Sequence, residues 1–229
     1  MTHGRIRLVL LDLDGTLADT APDLAAAANR MRVARGIAPL PLAALRPYVS
    51  NGARGMIGRA FNVAPEDSRY AQLRLEFLQE YEAALCVESA LFPGMDQTLR
   101  ALEQRGIQWG IVTNKLARFT QPLVQALQLA QRAACVVSGD TTPFSKPHPA
   151  PLLHALAMTG VAAASSIYIG DDRRDIDAGR AAGIRTAVAS YGYLGDGMSY
   201  DQWGADAVID SPLALLTLLG EDMLEISIK

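Results

Sequence analysis

Two cysteines in 229 residues, Cys86 and Cys135, are too few and too widely spaced for a disulfide framework or a thiolate metal cage, and a reducing, cytoplasmic setting is expected. No Lys/Arg cluster breaks up a chain of formal charge −3 and isoelectric point about 5.6, so nucleic acid is not an expected partner. No apolar run near the start approaches the ~20 residues that a membrane-spanning helix needs. The early run at 6–11 is cut by Asp12 and lacks the small-residue cleavage site of a secretory leader. No internal repeat and no low-complexity tract is present. What remains is 50% hydrophobic and 20% charged, the composition of a folded domain, or of one domain with a modest insertion.

Six short β-rich runs flanked by turn residues read as buried strands: 6–11, 109–113, 134–138, 166–170, 185–189 and 207–209. Helical patterns at 95–104, 116–127, 150–158, 175–182 and 213–219 lie between and after them. This alternation predicts an α/β fold, a Rossmann-like parallel sheet with helices on both faces. One block departs from it. From about 20 to 85 no strand is evident, and 22–35, 42–48, 53–61 and 66–85 read as helices punctuated by Pro39, Pro41, Pro47 and Gly52. The expected organisation is therefore a core domain of 1–17 and 88–229 with an inserted α-helical cap at 18–87, hinged near 17–20 and 91–93.

The polar residues follow the strand ends. Asp12-Leu13-Asp14 closes the first strand, Thr113-Asn114-Lys115 the second, Asp140 and Lys146-Pro147 follow the third, and Gly170-Asp171-Asp172 closes the fourth, with Asp175 one turn on. All strand C-termini of a parallel sheet share one edge, and ligands bind in the crevice outside it. Strand alternation places Asp12 and Asp14 on one side and Leu13 in the core. Several acids gathered there repel one another unless a cation holds them. With oxygen ligands on offer and no histidine or cysteine nearby, Mg²⁺ is the expected ion. Lys146 supplies a fixed positive charge, Thr113 and the amides after it can donate to an anion, and Gly15 leaves room for close approach. Such a set suits a phosphate. One carboxylate can attack phosphorus, and a second can protonate the leaving alcohol and later deprotonate water.

DLDGT, VTNK, SKPHP and GDDRRD, in this order, resemble the four motifs of the haloacid dehalogenase superfamily of phosphatases, and the insertion after the first motif is similar to the helical cap of its phosphoglycolate phosphatase and β-phosphoglucomutase branch. The resemblance implies Asp12 as nucleophile and Asp14 as general acid/base. It implies Mg²⁺ held by the Asp12 side chain, the Asp14 backbone carbonyl and Asp171, with Asp175 in support. It implies a phosphoryl group held by Thr113, Asn114 and Lys146. VSNGARGMI, LFPGM, WGIVTNK and VSGDT are similar to the phosphoglycolate phosphatase group, whose close relatives include enzymes for N-acetylmuramic acid 6-phosphate. Leu11 stands where the family usually has Phe, and Asp171 is preferred over Asp172 as the ligand because it follows Gly170 directly.

The expected activity is a Mg²⁺-dependent phosphatase for a small phosphorylated metabolite, 2-phosphoglycolate first, with N-acetylmuramic acid 6-phosphate, another sugar phosphate or a phosphomutase reaction as alternatives. Dehalogenation has no need of Asp14 or the metal, and a non-catalytic module usually loses part of the acid set that is complete here. Arg54, in the cap, either meets a substrate carboxylate or sugar oxygen or is an exposed arginine at a helix start. Asp172 is expected to serve only its helix. Tyr191-Gly192-Tyr193 is read as packing or a rim loop, and His148 and His154 as structural. The chain is expected to be a monomer or a homodimer.

Overall fold

Leu8–Leu11 is four aliphatic residues with no polar face, so a strand built from it must be covered on both sides. The computed structural model describes residues 5–195 and 197–226. Residues 1–4, 196 and 227–229 of the expected core domain lie outside the described residues. In chain order the elements are β1 (Leu8–Leu11), β2 (Ala18–Asp19), α1 (Ala21–Val33), α2 (Leu42–Leu45), a 3₁₀ turn (Arg46–Asn51), α3 (Gly52–Phe61), α4 (Tyr70–Ala83) and β3 (Ala90–Leu91). There follow α5 (Met95–Gln104), β4 (Gln108–Val112), α6 (Ala117–Ala126), β5 (Val136–Val137), α7 (Ala150–Thr159), β6 (Ser166–Gly170), α8 (Arg173–Ala181), β7 (Arg185–Ala189), β8 (Ala207–Ile209) and α9 (Ala214–Ile226).

Six strands form one parallel sheet in the order β5-β4-β1-β6-β7-β8. The chain builds outward from β1 to β4 and β5, then crosses to β6, β7 and β8, so β1 lies centrally beside the point where the order reverses. Leu11 pairs with Ile111 on one side and Ile169 on the other, which brings the tips of β1, β4 and β6 together. Alternation splits the aliphatics between two layers. Leu8 and Leu10 pack with Val112, Tyr168, Leu152 of α7 and Ala178 of α8. Val9 and Leu11 pack with Ile111, Ile169, Leu99 of α5, Leu123 of α6 and Leu215 of α9. At roughly 25 cal/mol per Å² of apolar surface removed from water, this two-sided burial is the main favourable term for the sheet.

The helices from α1 to α4 lie in the chain between β2 and β3, the two points where it leaves and rejoins the sheet region. Those two-residue strands pair with each other antiparallel, Ala18 with Leu91 and Asp19 with Ala90. Neither was expected: two residues carry no readable periodicity, and their pairing is decided by partners about 70 positions apart. The helix expected at 42–48 is divided between α2 and the 3₁₀ turn, where Pro47 enters at the turn's start.

A buried carboxylate fastens this crossing. Asp23, in the first turn of α1 and 2% exposed, accepts hydrogen bonds from the amides of Val87 (3.0 Å), Glu88 (3.1 Å) and Ser89 (2.8 Å) and from the Ser89 hydroxyl (2.6 Å). It thereby satisfies the irregular backbone just before β3. Removing an acceptor while leaving its donors buried costs more than the bonds themselves contribute. Asp23→Ala is expected to lower stability to urea by about 2–3 kcal/mol. A change within the ~0.5 kcal/mol typical of neutral surface substitutions would show that the carboxylate is dispensable.

Candidate active site

Asp12, Thr113 and Asp171 each stand directly after the last residue of a strand. The backbone of Asp12 still follows the sheet, its amide donating to Ile169 O at 2.9 Å. The chain turns immediately afterwards, and Gly15 has φ +86°. A Cβ at Gly15 would come within 2.2 Å of Asp171 Oδ2, so the position requires glycine both for its backbone angle and for the approach of that acid. Leu13 is fully buried in the core, as expected. Strand geometry ends at Leu11, however, and the two flanking aspartates take different partners.

Asp12 faces a buried ammonium. Lys146 Nζ lies 2.9 Å from Asp12 Oδ1, 2.7 Å from Asp175 Oδ1 and 2.8 Å from the Tyr168 hydroxyl, and donates to Val112 O at 3.1 Å. Lys146 is 3% exposed. Burial alone would favour its neutral form, but Asp12 and Asp175 outweigh that and hold its pKa above the ordinary lysine value. The Asp12 carboxyl is pushed up to about 7 by burial, with Lys146 pulling it back and Asp175 adding to the rise. Leu13 N also donates to Asp12 Oδ1, at 2.7 Å. Both donors therefore share one oxygen, and Asp12 Oδ2 has no hydrogen-bond donor among the described residues.

Asp14 faces a second lysine. Lys115 Nζ lies 2.9 Å from each Asp14 oxygen, and the Thr20 hydroxyl donates to Oδ1 at 2.6 Å. Burial works against the Lys115 charge, yet Asp14 and then Tyr81 more than offset it and raise its pKa. Lys115 was not singled out from the sequence. The available signal was its place directly after Thr113-Asn114 at the tip of β4.

Asp171 is fully buried. It accepts from the Thr16 hydroxyl at 2.9 Å, from Tyr193 N at 2.9 Å and from the Ser50 hydroxyl at 3.5 Å. Burial, reinforced by Asp12 and Asp175, holds its pKa well above the usual carboxylate range. Asp172 lines the same cavity and is the N-cap of α8. It accepts from Arg174 N, while Asp175 Oδ2 accepts from Asp172 N at 3.0 Å, which closes a capping box. Arg174 binds Asp172 and also donates to Ser50 O, in the 3₁₀ turn. Tyr193 does more than pack. Its amide holds Asp171, and its hydroxyl accepts from Thr20 N and Ala21 N and donates to Asp19.

Thr113 is buried beside these groups, its hydroxyl accepting from Lys115 N. The Asn114 amide is committed to backbone. Its Nδ2 donates to Lys146 O at 2.9 Å and its Oδ1 accepts from Lys146 N at 2.9 Å, so Asn114 fixes the segment that carries the lysine. A cavity of about 340 Å³ opens over the site, in the usual size range of ligand pockets. Asp12, Asp14, Thr113, Asn114, Lys146 and Asp175 line its floor, and Val49–Ala53, Arg74, Phe77, Leu78 and Tyr81 contribute from the helical insertion. Arg54 is exposed and is not among the lining residues.

One oxygen each from Asp12, Asp171 and Asp175 lies within 4.8 Å of the others. An all-oxygen set of buried, mutually repelling carboxylates suits a hard divalent cation, whose charge would relieve the rise in the Asp12 and Asp171 pKa values.

The haloacid dehalogenase-like hydrolase family model matches residues 9–189. The chain is 44% identical over 211 residues to an N-acetylmuramic acid 6-phosphate phosphatase of Pseudomonas putida, a match that covers 92% of this chain and 95% of that protein. It is 47% identical over 207 residues to a phosphoglycolate phosphatase of Xanthomonas campestris pv. campestris, covering 90% and 93%. The crystal structure of a predicted phosphoglycolate phosphatase from Haemophilus somnus superposes with a TM-score of 0.82 at 26% identity, covering 94% of this chain and 98% of that one.

Adding Mg²⁺ is expected to raise the thermal unfolding midpoint by on the order of 5–10 °C at a hundredfold excess over the dissociation constant. Asp171→Asn is expected to remove most of that rise while leaving the protein folded. An equal rise in the variant would place the ion elsewhere.

Proposed function

The chain belongs to the haloacid dehalogenase-like hydrolases and is a phosphoric monoester hydrolase, and from that premise we propose that it transfers the phosphoryl group of a small carboxylate-bearing metabolite to Asp12 and then to water. The observation that carries this reading is the one-sided hydrogen bonding of Asp12. Lys146 and the Leu13 amide hold Oδ1, and Oδ2 is left as the nucleophile. In the first step Oδ2 bonds to phosphorus as the bond to the leaving oxygen breaks, and Asp14 supplies the proton that the leaving alkoxide takes up. In the second step water attacks the aspartyl phosphate, Asp14 removes the water's proton, and the Asp12 carboxylate is regenerated. Lys115 and Thr20 fix the direction in which Asp14 points. The Thr113 hydroxyl and the Asn114 backbone amide donate to the phosphoryl oxygens. Asp12, Asp171 and the Asp14 carbonyl would hold Mg²⁺, with Asp175 in support, and the ion would neutralise charge on the phosphoryl oxygens.

The helices α1 to α4 act as a cap over this edge, and the paired β2 and β3 are the hinge on which it closes. Arg174 reaches from the core to Ser50 and gives the closed arrangement a latch. The floor of the cavity offers groups for phosphate alone, so selection among substrates falls to the cap wall. 2-Phosphoglycolate and N-acetylmuramic acid 6-phosphate, the substrates in the names of the relatives, are the two carboxylate-bearing candidates. The specific observation favouring N-acetylmuramic acid 6-phosphate as a second reading is the volume over the site, about 340 Å³, most of which a two-carbon acid would leave to water.

Asp12→Asn is expected to lower kcat by about 10³-fold or more with the far-ultraviolet circular dichroism unchanged. Appreciable turnover in that variant would remove Asp12 as nucleophile. Phosphate release with Mg²⁺, ranked by kcat/KM over 2-phosphoglycolate, N-acetylmuramic acid 6-phosphate and neutral sugar phosphates, identifies the substrate. No release from any of them would end the phosphatase reading.

A further inference from the structure

Four cations line the cavity, and three are committed to carboxylates: Lys146 to Asp12 and Asp175, Lys115 to Asp14, and Arg174 to Asp172. The fourth is Arg74, which has no carboxylate partner among the described residues. It is exposed at the cavity wall on α4. Arg74, Phe77, Leu78 and Tyr81 recur at the three- and four-residue spacing that puts them on one face of that helix, and all four line the cavity. The wall therefore runs from a free guanidinium, across two apolar side chains, to a phenol.

The phenol end is the one nearest the reacting groups. Lys115 Nζ, the partner of Asp14, stands 4.8 Å from the Tyr81 ring centroid. The Tyr81 hydroxyl is buried and meets no hydrogen-bond partner at bonding geometry among the described residues. A buried hydroxyl without a partner is costly and uncommon, and Tyr81 is one of the residues that line the cavity. Seven residues of helix separate Tyr81 from Arg74, about 10 Å along the axis. Helical side chains lean toward the N-terminus, which carries the guanidinium further from the phosphoryl site.

Resting on the phosphatase reading above, we propose that Arg74 is the specificity residue of this enzyme: it binds a carboxylate that the leaving alcohol carries about one sugar ring away from phosphorus, while the Tyr81 hydroxyl bonds to a polar group of the same alcohol close to Asp14. Phe77 and Leu78 supply the apolar surface on which the ring lies. The substrate class is then a phosphate monoester of an acidic, sugar-sized alcohol. A two-carbon acid is too short to reach both ends of the wall. Arginine suits the role because its planar fork matches a carboxylate bidentately.

The test compares kcat/KM for N-acetylmuramic acid 6-phosphate with that for N-acetylglucosamine 6-phosphate, two substrates with the same ring and phosphate that differ in the carboxylate-bearing ether. Wild type is expected to favour the acid by at least ~10-fold, the scale of one charge-assisted contact. Arg74→Gln is expected to bring the ratio close to one, with the loss mainly in KM, and Arg74→Lys to keep part of the preference. A ratio that is unchanged in Arg74→Gln, or is already near one in wild type, overturns the proposal while leaving the phosphatase reading intact. A wild-type preference for 2-phosphoglycolate over both sugars overturns the stated size of the substrate. Failure of wild type to release phosphate from any of the three removes both readings together.

Discussion

A lysine ammonium buried at the tip of a parallel sheet is the constraint on which the rest of this structure depends. Lys146 has almost no contact with water, and its charge is sustained only because Asp12, Asp175, the Tyr168 hydroxyl and the Val112 carbonyl converge on it. An uncompensated buried charge is strongly unfavourable. Each partner is accordingly fixed by something else. Asp12 continues the hydrogen bonding of β1, Asp175 closes the capping box of α8, Tyr168 belongs to β6 and Val112 to β4. Asn114 clamps the lysine's own backbone from both sides. Three strands and one helix start must be in register before the ammonium is satisfied, so the site and the sheet specify each other.

Around this pair a second lysine–aspartate pair is built with the opposite outlook. The carboxylate of Asp12 is buried beside Asp171 and Asp175 and driven toward its neutral form. Asp14 points away from that crowd toward Lys115 and Thr20. Two residues apart in the chain, the carboxylates acquire different environments because the strand ends at Leu11 and the turn at Gly15 redirects the backbone. Different environments are what the proposed nucleophile and acid/base duties would require of two otherwise identical side chains.

The connection to the helical insertion carries the same economy of parts. Tyr193 holds Asp171 with its amide and the β2–α1 junction with its hydroxyl, so a single residue beyond β7 touches both the acid cluster and the crossing to the helical insertion. Asp23 gathers the returning chain before β3. Arg174 joins the helix that follows Asp171 to the 3₁₀ turn of the insertion. Movement of the helices relative to the sheet would therefore be felt at the acids through a small number of polar contacts.

All six strands of the sheet, most of its helices and the gathering of Asp12, Asp14, Thr113, Lys146, Asp171 and Asp175 at one edge were legible in the sequence. Aliphatic runs bounded by turn residues have few ways to be buried, and a parallel sheet puts every strand end on the same side. The sequence also determined the oxygen-only chemistry of the site, since no histidine or cysteine stands near those acids. Tertiary structure alone decided the pairing of β2 with β3, the capture of Asn114 by the Lys146 backbone, the attachment of Lys115 to Asp14, and the placement of Arg74 rather than Arg54 on the cavity wall. Those outcomes depend on distances between residues tens of positions apart and on the rotation of α3 and α4 about their axes. A periodic pattern fixes which face of a helix is buried, but it does not say which of the exposed charges will overlook the cleft at the sheet edge.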